Sequence, residues 1–279
     1  MRNFTVAILN KPGDMARQEA LLTLLHELDI TRYSKTPNGV PIVGQSPVVG
    51  QVFQDAKPAE MAWSEFKTIL AEKQWAWSLA QGAQYTHHVF LTDDLHVHPL
   101  FFPILDAMIE GSGARAIGLL SNHPKGPALY REGRHAYRCN SWLVGPAYVL
   151  ETSFLIAALS AYRALPDDEG DKHRRWFNDD SFLNFHNTFA GPGESWHPLP
   201  TIIEHRFDVE STVGHGDRYS RERVSWKEER KVVDDGESGF QWASIPLYQF
   251  PHETERLEDL MLRPTFWSGE ALMLPVGGE

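Results

Sequence analysis

Short apolar strands alternate with helical stretches through the first two thirds of this chain, and that alternation constrains the fold more than any other feature. In FTVAILN, Phe4, Val6 and Ile8 recur at every second position, as in a buried strand. Pro12, Gly13 and Asp14 break the strand, and Leu21, Leu22, Leu25 and Leu28 then mark a helical face. Met61 to Gln81 is helical in composition, and Gly82 ends it before HHVFLTDD, a strand with acids at its carboxyl end. ARAIGLLS (114–121) and NSWLVGPAYVL (140–150) read as further strands, the second running into the helix SFLIAALSAY. Such an order predicts an α/β fold: a central, mostly parallel sheet flanked by helices, with ligands beyond the carboxyl ends of the strands.

The remaining segments fit around this core. Residues 31–60, with TPNGVPIVGQSPVVG, show no helical period and read as loop and short strands, a place for a mobile lid or donor-site loop. After residue 214 the chain becomes highly charged in HGDRYSRERVSWKEERK, so the expected division is a catalytic domain over 1–214 and a charged segment with a packed tail over 215–279. Trp242, Tyr248, Phe250 and Trp267 give that tail apolar groups to bury.

The 279 residues carry a formal charge of -11, which argues against non-specific coating of nucleic acid or an anionic membrane. No apolar run is long enough to span a bilayer, and the N-terminus reads as a strand rather than a signal peptide, so a cytoplasmic protein is expected. The single cysteine, Cys139, excludes an internal disulfide and reads as a small buried hydrophobe. Nothing in the sequence specifies an oligomeric state.

Three elements carry candidate chemistry. In VFLTDDLHVHPLF, Asp93 and Asp94 follow a buried strand, where a pair of carboxylates needs water or a cation to offset repulsion. Mg or Mn takes carboxylate oxygens and leaves positions for a substrate diphosphate; solvated acids at a strand end are the plainer reading. In WFNDDSFLNFHN, Asp179 and Asp180 open a helix, either as caps or as a general base for an acceptor hydroxyl. In LPTIIEHRFDVESTVGHG, His205 and His215 are imidazoles suited to a metal or a phosphate oxygen, although a lone histidine is more often structural.

Together the three elements resemble a GT-A type glycosyltransferase, nearest to lipopolysaccharide-type and related phage enzymes. The resemblance runs over residues 3 to 215: AILNKPGDMARQEALLTLL with Arg17 in its helix, Thr92-Asp93-Asp94 as the acidic motif, NSWLVGPAYVL, Asp179-Asp180-Ser181-Phe182-Leu183, and Pro200, Ile202, Ile203, His205 and Ser211. It implies a GT-A-like nucleotide-sugar-binding fold that transfers sugar from a nucleotide diphosphate sugar, UDP-sugar favoured. Metal (Mn or Mg) would lie among Asp94, Asp93 and His205, with Asp180 as base and Asp179 beside it. Asn10, Arg17 and Asp93 are candidates for the nucleotide. Thr92 stands where many relatives have an acid, which shifts the metal toward Asp94 and Asp93 toward ribose.

For the acceptor, Trp142 and Trp196 offer indole faces, and the Gly- and Pro-rich GPGESWHPLP reads as a loop that exposes Trp196. The acceptor is a saccharide or a 5-hydroxymethylated pyrimidine in phage DNA; the basic runs Lys172–Arg175 and Arg218–Lys231 suit a phosphate-rich partner, or are solvated faces paired with interleaved glutamates. Inversion with Asp180 as base is expected, with retention left open by the sequence. Two other classes stay open: a zinc-dependent hydrolase using His87, His88, His96 and His98 with the acids between them, and a non-catalytic sugar-binding relative.

Overall fold

The computed structural model describes residues 2, 4–10, 14–28, 40–43, 48–54, 85–120, 126–140, 143, 147–164, 179–206, 208–209 and 273–274. In chain order the strands are β1 (Phe4–Asn10), β2 (Val40–Val43), β3 (Val48–Gln54), β4 (His87–Thr92), β5 (Leu95–Val97), β6 (Ala116–Gly118), β7 (Ala136–Asn140), β8 (Ala147–Glu151), β9 (Glu194–Pro198), β10 (Ile203–His205) and β11 (Met273–Leu274). The helices are α1 (Met15–Glu27), α2 (Phe101–Ser112), α3 (Gly126–Arg131), α4 (Thr152–Arg163) and α5 (Asp179–Ala190).

All strands but β5 and β10 join one sheet, ordered β11-β7-β9-β6-β8-β4-β1-β3-β2. Within its centre, β9, β6, β4, β1 and β3 run in one direction and β8 runs against them, so this part of the sheet is mostly parallel, as the alternation predicts. Every residue of β1 is buried, the mark of a strand covered on both faces. On one face Phe4, Val6, Ile8, Val89 and Leu91 pack with Leu21, Leu24 and Leu25 of α1 and with Phe101, Leu105 and Met108 of α2. On the other, Ala7, Leu9 and Phe90 pack with Phe154, Leu155 and Leu159 of α4 and with Phe182 and Leu183 of α5. Each of the larger of these side chains, from Val to Phe, contributes about 1.5–3 kcal/mol on leaving water.

The short strands expected within residues 31–60 are β2 and β3, and β3 pairs with β1 in parallel over all seven residues, from Phe4↔Val48 to Asn10↔Gln54, so 48–54 belong to the sheet and not to a lid. NSWLVGPAYVL is not one strand, because β7 ends at Asn140 and β8 begins at Ala147. The helix expected over 61–81, residue 142, residues 211–215 and the boundary at 214 lie outside the described residues.

α5 matters for the site. It is followed by a short connection in which Gly193, with φ 76, donates its N–H to Asn187 O at 2.9 Å and reverses the chain into β9. Asn187, late in α5, donates to Glu194 O at the start of β9 at 2.8 Å, whereas Asn184, nearer the helix start, bonds Leu143 ahead of β8, whose Ala147 pairs with Leu91 near the end of β4; α5 therefore begins towards the side of the sheet where β4 ends.

Candidate functional site

The acidic turn sits at the carboxyl edge of the sheet, beneath the first turn of α1. Asp14 caps that helix by accepting the Arg17 N–H at 3.2 Å. Arg17, Leu21, Leu24 and Leu28 form one buried stripe, so the helical face that packs on the core ends in a guanidinium at the strand ends. There Arg17 Nη1 forms a buried ion pair with Asp93 Oδ1, and Asn10 Nδ2 donates to Asp93 Oδ2 at 2.8 Å. Gln18 Nε2 in turn donates to Asn10 Oδ1 at 3.1 Å. Asp93 is 1% exposed and Asn10 fully buried.

Asp93 and Asn10, expected to meet a nucleotide or metal directly, therefore form a buried layer below the surface. Asp93 has one oxygen on Arg17 and the other on Asn10. Asp94 has a different place. Its side chain is 14% exposed, Thr92 Oγ1 donates to its Oδ1 at 2.6 Å, and Arg17 Nη2 lies 3.4 Å from its Oδ2. Burial raises the Asp94 pKa, but the charges of His205 and Arg17 and the Thr92 hydroxyl more than offset it, holding the carboxyl below its ordinary value. Thr92, which replaces an acid of the resembled motif, thus fixes the orientation of Asp94.

His205 arrives from far along the chain through strand register. β10 pairs antiparallel with β5, setting Ile203 against Val97, Glu204 against His96 and His205 against Leu95, next to the acidic turn. Arg206 N donates to Asp94 O at 2.8 Å, which ties the two segments together. His205 Nδ1 consequently lies 3.9 Å from Asp94 Oδ2, with its side chain 31% exposed. Adjacent donors roughly 2 Å from a hard cation lie about 3 Å apart, so a cation shared by Asp94 and His205 would have to draw the two side chains closer than they stand. Asp93, turned inward, does not fit as a ligand in this arrangement.

The other candidates scatter. Trp196 is on β9 rather than in a loop and is 8% exposed within the core, with the Arg138 guanidinium carbon 6.0 Å from its ring centroid. Its burial leaves little of the indole face for an acceptor: Trp196 sits in the middle of β9, with Gly191 and Gly193 ahead of the strand and Pro200 beyond it. Trp142 and His215 lie outside the described residues, as do the side chains of Asp179 and Asp180, whose backbone opens α5. One turn later Asn184 clamps the backbone of Leu143, accepting from its N–H at 2.6 Å and donating to its carbonyl at 2.8 Å.

The four histidines of the hydrolase alternative do not converge. His88 bridges Thr5 and Thr152 at 2.7 and 2.9 Å inside the sheet, His87 meets Ala114 O at 3.2 Å, His96 meets Glu27 at 2.7 Å and His98 accepts from Leu100 N at 2.9 Å. Burial lowers His88 and His98 to about 4, so both are neutral at physiological pH. Among the described residues no group of three His, Cys, Asp or Glu side chains is placed to hold a metal. Nor is any helix there long and apolar enough to cross a membrane. Cys139 is buried, its thiol pushed up to about 12 by burial.

No sequence-family model matches the chain, and no curated protein matches it. Solved structures do overlay on it. TarS 1–349 from S. aureus is 11% identical, with a TM-score of 0.37, covering 65% of this chain; the chain spans 56% of that structure's length. A glycosyltransferase involved in the glycosylation of the major capsid of PBCV-1 is 8% identical, with a TM-score of 0.32 over 67% of this chain and 74% of its own. The A197 protein from STIV is 10% identical, with a TM-score of 0.40 over 76% and 87%.

Proposed function

We propose that this chain is a metal-dependent glycosyltransferase that moves a sugar from a nucleotide diphosphate sugar, UDP-sugar favoured, to an acceptor hydroxyl. One observation carries the reading: a partly exposed carboxylate, Asp94, stands between Arg17 and His205 at the carboxyl edge of the sheet. Asp94 and His205 would hold Mn or Mg, which when bound supplies positive charge against the diphosphate as it leaves. Arg17 keeps Asp94 oriented and adds a fixed cation near the same phosphates. Asp93 holds Arg17 from below, with Asn10 hydrogen-bonded behind it.

Asp180 takes the acceptor proton as the acceptor oxygen bonds to the sugar carbon, and the carbon to phosphate-oxygen bond breaks with its electrons passing to the nucleotide diphosphate. Displacement of this kind inverts the anomeric centre. A saccharide or a 5-hydroxymethylated pyrimidine in DNA supplies the hydroxyl. Incubating the protein with UDP-sugars and Mn, with and without acceptors of each class, tests the reading. Sugar transfer that survives in Asp180→Asn, or donor turnover indifferent to Mn, counts against it.

A further inference from the structure

α1 is tied to the acidic segment at both of its ends. At the first turn Arg17 meets Asp93 and Asp94; at the last, Glu27 Oε1 meets His96 Nδ1 at 2.7 Å and its Oε2 accepts the Val97 N–H at 2.8 Å. Both Glu27 contacts fall on β5, and β5 is the strand whose ladder with β10 sets His205 beside Asp94. Leu95 and Val97 lie in the same core cluster as Leu24, Leu25 and Leu28, so β5 is packed onto α1 as well as bonded to it. His96 faces Glu204 across the ladder, and Glu204, fully buried, accepts the His205 N–H at 3.0 Å.

We infer that Glu27 is a positioning residue for His205, acting through His96 and the β5–β10 ladder to hold the imidazole at its distance from Asp94. The inference rests on the proposed sharing of a cation by Asp94 and His205. Two short contacts to a single carboxylate fix both the position and the slant of β5, and a shift of β5 by a fraction of an ångström is passed to its ladder partner. Neither the apolar pattern of α1 nor the spacing of the acidic motif points to Glu27, because its partners are 69 and 70 residues away.

The test is Mn binding by the free protein, followed by the relaxation of water protons, in wild type, Glu27→Ala, His205→Ala and the double variant. About tenfold weaker Mn binding is expected in Glu27→Ala, the scale seen when partners behind a metal ligand are removed. The loss should disappear when His205 is already alanine, since the two changes act on one contact. Glu27→Gln, which keeps an acceptor for Val97 N–H, should recover most of the affinity and serves if the alanine variant does not fold. Wild-type affinity in Glu27→Ala, or an equal loss with and without His205, overturns the inference. Asp94→Ala separates the two levels: if it too leaves Mn binding intact, the shared cation itself is wrong.

Discussion

Arg17 and Asp93 are an ion pair shut inside the protein, 4% and 1% exposed at the side chain, directly below a carboxylate that reaches the surface. Breaking such a pair leaves one charge without its partner in a low-dielectric site. Arg17→Met should therefore cost about 3–5 kcal/mol in urea unfolding. Arg17→Met combined with Asp93→Leu should recover a substantial part of that loss, because no lone charge remains. Equal stability of Arg17→Met and wild type would mean that the pair is not formed in solution.

His88 predicts an acid-sensitive sheet. Its pKa in the folded chain is lowered to about 4 from an ordinary 6.5, so on acidification the unfolded chain takes up a proton that the native one refuses. Stability is then lost as pH falls from 6.5 towards 4, by on the order of 3 kcal/mol for this one group. Urea midpoints across that window should fall steeply for wild type and less steeply for His88→Gln, which retains polar atoms for Thr5 and Thr152.

Asn184 joins α5 to the segment ahead of β8 by two hydrogen bonds to Leu143. Asn184→Ala leaves a backbone N–H and carbonyl without that partner and should cost about 2 kcal/mol. Hydrogen exchange at Leu143 should accelerate together with the first turn of α5, the turn that carries Asp180. Acceleration at Leu143 alone would show that the clamp does not organise the helix start.

Much of this was legible in the sequence, and the parts that were not share a cause. β1 and β4 announce themselves as apolar runs, and their burial on both faces follows from the alternation with helices. Even the inequality of the two acids has a local origin. Val89, Leu91 and Asp93 are spaced by two, so Asp93 continues the face of β4 that lies under α1 while Asp94 escapes it. Trp196 misled because Gly and Pro flank its strand, whose residues are buried by neighbours supplied from elsewhere. Glu27 and the approach of His205 to Asp94 depend on the β5–β10 register, a pairing between segments about a hundred residues apart that no local pattern encodes.

In the proposed transferase, Asp94 rather than Asp93 meets the donor's metal. Calorimetric titration of UDP into wild type, Asp94→Ala and His205→Ala, with and without Mn, tests it most directly. Mn should tighten UDP binding at least about tenfold in wild type, Asp94→Ala should abolish that gain while the protein stays folded, and His205→Ala should reduce it. UDP affinity unmoved by Mn in wild type, or a full Mn effect in folded Asp94→Ala, would contradict the account.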